Sequence, residues 1–277
     1  MRYRYYFCKR YTSEKEEYLI KNKIKYKIEE DVRRWIIFDI WSTSKDYEKH
    51  LKELIRTPLD HPLVFAEYTA SEYANAPLLM IWPKRQVIDI ENEEEAYEWS
   101  CTWMSGKIEK AKHAKPKSPF VIKKEPSMKS TTAFWCESTG FAEVFADHRV
   151  VEMVKENSLV GVDFQQVILK KGGVSDKLFQ MSSNNILTTE DAICLGYGEK
   201  RVVCHVCGKE QYSIDNTYQV HVDFSKVPIK SDLYMTERIF GEGIAYPLYL
   251  ISQRFYRLLK ENKIAGGITF VPVVKID

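Results

Sequence analysis

Arg149–Gly161, RVVEMVKENSLVG, returns later in the chain as Arg254–Gly266, RFYRLLKENKIAG. Five of these 13 positions are identical: Arg149/Arg254, Lys155/Lys260, Glu156/Glu261, Asn157/Asn262 and Gly161/Gly266. Val150/Phe255, Met153/Leu258, Val154/Leu259 and Leu159/Ile264 are apolar in both copies. The first three of these pairs fall at i, i+3 and i+4, one face of a helix. Asn157 or Asn262 suits the helix end, where asparagine tolerates left-handed geometry. Gly161 or Gly266 then allows a sharp turn into a strand, Val162–Leu169 or Ile268–Val274. A short apolar run precedes each helix, Val144-Phe145-Ala146 in one copy and Leu248-Tyr249-Leu250-Ile251 in the other. Each copy therefore predicts strand–helix–strand. Two copies are too few for a solenoid and give an α+β domain.

Working toward the N-terminus, the first 70 residues read as strand, helix, strand, strand, helix, strand. Tyr3, Tyr5 and Phe7 alternate with Arg2 and Arg4, as in a half-buried strand. Ser13 and Glu16 have capping-box spacing and open a helix through about Lys23. Ile24, Tyr26 and Ile28 alternate with Lys25 and Lys27, and Arg34–Ile40 is a more continuously apolar strand. Thr43 and Asp46 mark a second helix carrying Tyr47, Leu51, Leu54 and Ile55, which Pro58 closes. Leu63–Ala66 completes a βαββαβ unit of the ferredoxin-like kind, with one sheet face left open. The division into domains is drawn at 1–90 for this unit and 91–277 for the duplicated α+β domain. Glu91–Lys115 reads as a helix with Ala96, Trp99, Trp103 and Met104 on one side, followed by a loop or edge strand.

Composition excludes several classes. Forty-one basic against 39 acidic residues leave +2, so no chain-wide field favours nucleic acid or an anionic membrane. Eight lysines do cluster in Lys107–Lys129, which reads as a solvated helix end and loop or as a phosphate-binding or acidic-partner patch. No 18 apolar residues run together, so no membrane span is expected. The start lacks the pattern of a signal peptide, and the six cysteines make no disulfide framework; a cytoplasmic protein with reduced thiols is the expectation.

Cys204-His205-Val206-Cys207-Gly208 is the sharpest chemical motif. Two thiolates three residues apart, with glycine easing the turn, can supply half of a tetrahedral zinc site. Cys204 and Cys207 are thus the candidate metal ligands, and Cys194, His205 and His221 are candidates to complete the set. A structural pair of thiols without metal and a redox dithiol remain open beside structural zinc. No HExxH, G-x-S-x-G, Walker or G-x-G-x-x-G motif occurs, and no catalytic residue is assigned.

These cysteines carry a resemblance, together with Ile251-Ser252-Gln253-Arg254-Phe255 and the tail Gly266–Val273. About 140 of the 277 residues resemble the double-CXXCG group of bacterial polymorphic-toxin immunity proteins. The first of that group's two CXXCG elements has no counterpart, since Cys8 is the only cysteine in the first 100 residues. The resemblance implies a non-enzymatic cytoplasmic protein that binds a cognate toxin domain. It would block the toxin's active site or the movement that site requires. Surface Tyr and Trp of the open sheet or of residues 71–104 are the expected anchors, and the acidic Glu91–Glu98 segment suits a basic toxin site. The alternative reading is a nucleic-acid-binding or regulatory module using the ferredoxin-like sheet and the Lys107–Lys129 cluster.

Overall fold

The computed structural model describes residues 1–30, 34–55, 63–84, 86–91, 93–105, 108–117, 119–128, 132–136, 143–188, 192–194, 201–203, 210–212, 220–237 and 246–275. They form two compact units of mixed α+β structure, Met1–Glu72 and a second beginning at Tyr73.

The first unit runs β1 (Arg2–Arg10), α1 (Ser13–Lys21), β2 (Tyr26–Glu29), β3 (Trp35–Trp41), α2 (Tyr47–Leu54) and β4 (Leu63–Glu67). The strands stand in the order β2-β3-β1-β4 with every pairing antiparallel. β3 therefore splits the β1–α1–β2 unit. Strand alternation sends Tyr5, Phe7, Ile36, Phe38 and Ile40 to one face, where Leu19 of α1 and Leu51 of α2 cover them. The Phe7 and Phe38 rings stack at 4.8 Å. Each such buried side chain contributes roughly 1.5–3 kcal/mol, so this face holds the unit together. The helix start differs from the expected capping box. Thr12, one residue earlier, is the N-cap and accepts from Lys15 N, while Glu16 bonds the hydroxyls of Tyr11 and Tyr26. Asp46 precedes α2 in left-handed geometry without capping it, and Pro58 lies outside the described residues.

Beyond the first unit come α3 (Ala70–Asn75), β5 (Leu78–Pro83), β6 (Gln86–Ile88), α4 (Glu93–Ala96), β7 (Tyr97–Ser105) and β8 (Ile108–Pro116). The expected helix over Glu91–Lys115 is thus corrected. Only one turn is helical, and the rest is a hairpin in which Tyr97 stands opposite Pro116. The apolar stripe is ambiguous. Ala96, Trp99 and Trp103 fit a helix, but Tyr97, Trp99, Cys101 and Trp103 alternate equally well, and aromatic residues favour strands.

Next follow β9 (Val121–Ile122), β10 (Ala133–Cys136), β11 (Val144–Asp147), α5 (His148–Glu156), β12 (Asp163–Leu169) and β13 (Val174–Ser182). Short strands β14 (Ile186–Leu187), β15 (Ala192–Cys194), β16 (Arg201–Val203), β17 (Glu210–Tyr212) and β18 (Val220–Val222) lead to β19 (Leu233–Thr236). The chain closes with β20 (Tyr249–Ser252), α6 (Gln253–Glu261), β21 (Ile268–Pro272) and β22 (Val274–Lys275). Both copies of the repeat form the expected strand–helix–strand. One is β11–α5–β12 and the other β20–α6–β21.

The sheets show what the copies share. In β6-β10-β11-β13-β12-β9, β13 lies between the copy's two strands; in β14-β19-β20-β5-β21, β5 does so. Each intruding strand is antiparallel to both neighbours. Leu78–Pro83, on the near side of the residue-90 division, is thus the middle strand of the second copy. Val150, Met153 and Val154 of α5 join Phe255 and Leu259 of α6 in one core with Leu79, Ile81, Tyr249 and Ile251. Phe145 points the opposite way from Val144 and Ala146, into a second core with Tyr97, Phe120 and Leu178.

The helix ends refine the repeat. Asn157 and Asn262 are C-caps at φ −95° and −77°, not left-handed; the positive φ falls on the next residues, Ser158 and Lys263. Each asparagine instead donates its side-chain amide to a carbonyl one turn back, Met153 or Leu258, at 2.9 Å. The turning glycines also shift register, positive φ falling on Gly161 in one copy and on Gly267 in the other.

Candidate functional site

The open face of the first unit's sheet gathers half-buried aromatic side chains and cationic ones. Period-two alternation puts Arg2, Arg4, Tyr6, Cys8 and Arg10 of β1 on this face, opposite the buried set. Register completes it. Arg4 stands between Trp41 of β3 and Phe65 of β4, and Tyr6 stands opposite Asp39. Arg4 Cζ lies 4.9 Å over the Phe65 ring and 6.0 Å from the Trp41 ring, while Arg2 Cζ sits 4.6 Å over Trp41. Tyr6 meets Phe65 edge-on at 6.4 Å. The result is a row of alternating guanidinium and aromatic groups, held by cation–π attraction and left partly open to water.

Most of its charge is internally balanced. Arg2 pairs with Glu67 at 3.0 Å and Lys27 with Glu29 at 2.7 Å, and Glu29 holds the Lys27 ammonium above its usual pKa range. Arg4 Nε and Asp39 Oδ1 are 4.0 Å apart, and each is cut off from solvent without a hydrogen-bond partner. Native proteins seldom leave such atoms unsatisfied, so the pair is an unfilled hydrogen-bonding demand beneath an exposed face.

The remaining candidates are dispersed. Cys204, His205 and Cys207 lie outside the described residues, so the candidate metal ligands have no described geometry. Cys194 and His221 occupy adjacent antiparallel strands, with Cys194 opposite Val220 and Ile193 opposite His221. Cys8 is exposed on the open face. Among the described residues no group of three or more His, Cys, Asp or Glu side chains could hold a metal ion.

The lysine-rich segment is broken up. Lys107 and Lys129 lie outside the described residues; Lys110, Lys112 and Lys115 belong to β8; and Lys123 pairs with Asp89 at 2.9 Å. The acidic segment also divides, since Glu91 pairs with Lys170 and Glu98 stands in β7 opposite Lys115. Sequence alternation pointed to an open face but not to its anchors. Trp41 and Phe65 meet Arg4 only through long-range register.

No helix among the described residues is long and apolar enough to cross a membrane. Comparison with protein-family models, curated proteins and solved structures yields no match to this chain.

Proposed function

We propose that this chain is a non-catalytic binding protein of the immunity type, which engages a cognate toxin domain through the open sheet face of its first unit. The carrying observation is the Trp41–Arg4–Phe65 row with Tyr6 beside it. Trp, Tyr and Arg are the residue types that dominate interface energetics, because they bury large area around a polar handle. Four strands at ~4.8 Å spacing and seven residues at ~3.3 Å each span roughly 450 Å². A standard interface covers about 800 Å² per partner, so the face supplies the centre of one and flanking segments supply the rim. The CxxCG element and the Ser-x-Arg-Phe helix support a toxin as the partner class through the resemblance they carry, the bound protein blocking its active site or the movement that site requires.

Co-purification with the product of an adjacent toxin-like gene, and protection on co-expression, test the reading. Trp41→Ala and Arg4→Ala are expected to weaken the complex at least about tenfold each, or ~1.4 kcal/mol, with circular dichroism unchanged. No complex and no protection would sink it.

Aromatic residues on the two central strands also favour a second reading, a sheet that stacks single-stranded bases. The charge pairing argues against it. Three of the four cations on the face's strands (Arg2, Arg4 and Lys27, but not Arg10) already stand beside Glu67, Asp39 or Glu29, so the strands themselves leave few counterions for a nucleic acid to release. A gel shift at ~50 mM salt decides, and absence of binding there removes this reading.

A further inference from the structure

A hollow of about 550 Å³ opens beside β3, with Trp41 at the end of the aromatic row among its lining residues. Its origin is a break in pairing. β2 pairs with β3 only as far as Tyr26 opposite Phe38. Continued register would bring Lys25 beside Asp39 and Lys23 beside Trp41. Instead Lys23 turns at φ 54°, and the edge of β3 from Asp39 to Trp41 is left without β2. Asn22–Lys27 forms one wall of the notch, the Ser44–Lys45 turn another, and His50 of α2 closes one end.

Lys23, Lys25, Lys27 and Lys45 all line this notch, and among the described residues Asp39 is the one carboxylate lining it. Lys27 is engaged by Glu29, and Asp39 faces Arg4 at 4.0 Å. Among the described residues Lys23, Lys25 and Lys45 have no ion-pair partner. Three ammonium groups without an ion-pair partner lining one concavity make its potential positive, which favours a dianion there. Lysine is a point-charge ligand well suited to phosphate, which carries about −1.5 to −2 charge at neutral pH. Trp41 and Ile37 supply an apolar wall, and the Asp39 side chain, although its Oδ1 is turned inward toward Arg4, is 39% exposed. The volume lies within the ~300–1,000 Å³ of small-molecule sites.

We propose that the notch binds a small organic phosphate of the nucleoside monophosphate class. Its phosphate sits among Lys23, Lys25 and Lys45, its flat ring lies against Trp41, and a ring amine donates to Asp39. This site does not rest on the toxin-binding reading. Ligand binding can hold with no toxin complex, and a toxin complex can form with the notch empty.

The test is calorimetry or ligand-observed NMR on the full chain with adenosine monophosphate, adenosine and inorganic phosphate at ~50 mM salt, where screening is weak. The monophosphate is expected to bind at least about tenfold tighter than either fragment. The double variant Lys25→Gln/Lys45→Gln is expected to weaken it tenfold or more, and Lys52→Gln, on α2 outside the notch, to leave it unchanged. Circular dichroism checks that the variants fold. Equal binding of monophosphate and adenosine, or an unaffected double variant, overturns the proposal. So does an oligonucleotide that binds tighter than the monophosphate and loses binding in the same variant, since it makes the occupant a strand.

Discussion

Gly161 is where one atom decides most. Its φ is +74°, and a Cβ there would run into Ser231 Oγ and Asn185 Nδ2. Ser231 cannot readily yield, because its hydroxyl bridges Val160 O and Leu233 O. Next to it the buried Asp232 accepts from Val160 N at 2.8 Å and from the Ser252 hydroxyl at 2.6 Å, joining the first copy's turn to the second copy's helix cap. Gly161→Ala is therefore expected to lose about 3 kcal/mol or more by denaturant melting, from strain and overpacking together. Gly172→Ala, at φ +90° but facing open space, is expected to lose only about 1 kcal/mol. Equal losses would show that the Ser231–Asn185 contact does not matter. The turn at Gly161 was legible in the repeat; the crowding was not, because Ser231 is 70 positions away. The identical arginines make the same point. Arg149 bonds its own helix's cap, Asp147, and Met128 O, whereas Arg254 reaches Asn157 O at the end of the other copy's helix. Sequence identity alone suggests one shared role, but a long side chain takes its partner from the tertiary surroundings.

At the scale of elements, three helices end alike. After α1, α5 and α6 come Asn22-Lys23-Ile24, Asn157-Ser158-Leu159 and Asn262-Lys263-Ile264. In each, the third residue's N–H bonds the carbonyl five residues back (Leu19, Val154 or Leu259) at 2.9–3.0 Å. The middle residue bonds Ile20, Lys155 or Lys260, which completes a Schellman motif. The middle position has φ 50–56°, yet holds Lys or Ser where glycine is the unstrained choice. Lys263→Gly and Ser158→Gly are expected to stabilise by about 0.5–1 kcal/mol in urea melts. A loss in both would show that these side chains hold contacts worth more than the strain. The repeat made two of these ends visible. The third was hidden because α1 shares only the short Asn-Lys-Ile cap with α6.

Glu16 links α1 to its flanks through the hydroxyls of Tyr11 and Tyr26, at 2.6 and 2.7 Å. The Tyr11 and then the Tyr26 hydrogen bond hold its carboxyl below 4.5, and it holds both tyrosines above 10.0. A carboxyl lowered on folding gives stability that is present above about 4.5 and lost as pH falls through its folded value. A tyrosine raised on folding gives stability that is present below about 10 and lost as pH rises beyond it. NMR titration of Glu16→Gln should return both hydroxyls toward 10; unchanged midpoints would mean that Glu16 is not the cause.

The whole molecule uses one topological device three times: β1–α1–β2 split by β3, β11–α5–β12 split by β13, and β20–α6–β21 split by β5. In the first two cases the splitting strand follows its unit along the chain. In the third it precedes its unit by about 170 residues, so no pattern local to the repeat could reveal it. A strand between β20 and β21 supplies β21's ladder and one of β20's two, and Leu79 and Ile81 enter the core shared by α5 and α6. Its loss would expose two sheet edges and open that core, against a stability margin of only about 5–15 kcal/mol. The position of a truncation is therefore decisive. A chain beginning at residue 70 retains β5 and is expected to melt cooperatively and resist proteolysis. A chain beginning at residue 91 lacks β5 and is expected to lose the near-ultraviolet circular dichroism of its packed tyrosines and to be digested quickly. Were the shorter chain to melt like the longer one, β5 would be dispensable and the second copy of the repeat would fold without its middle strand.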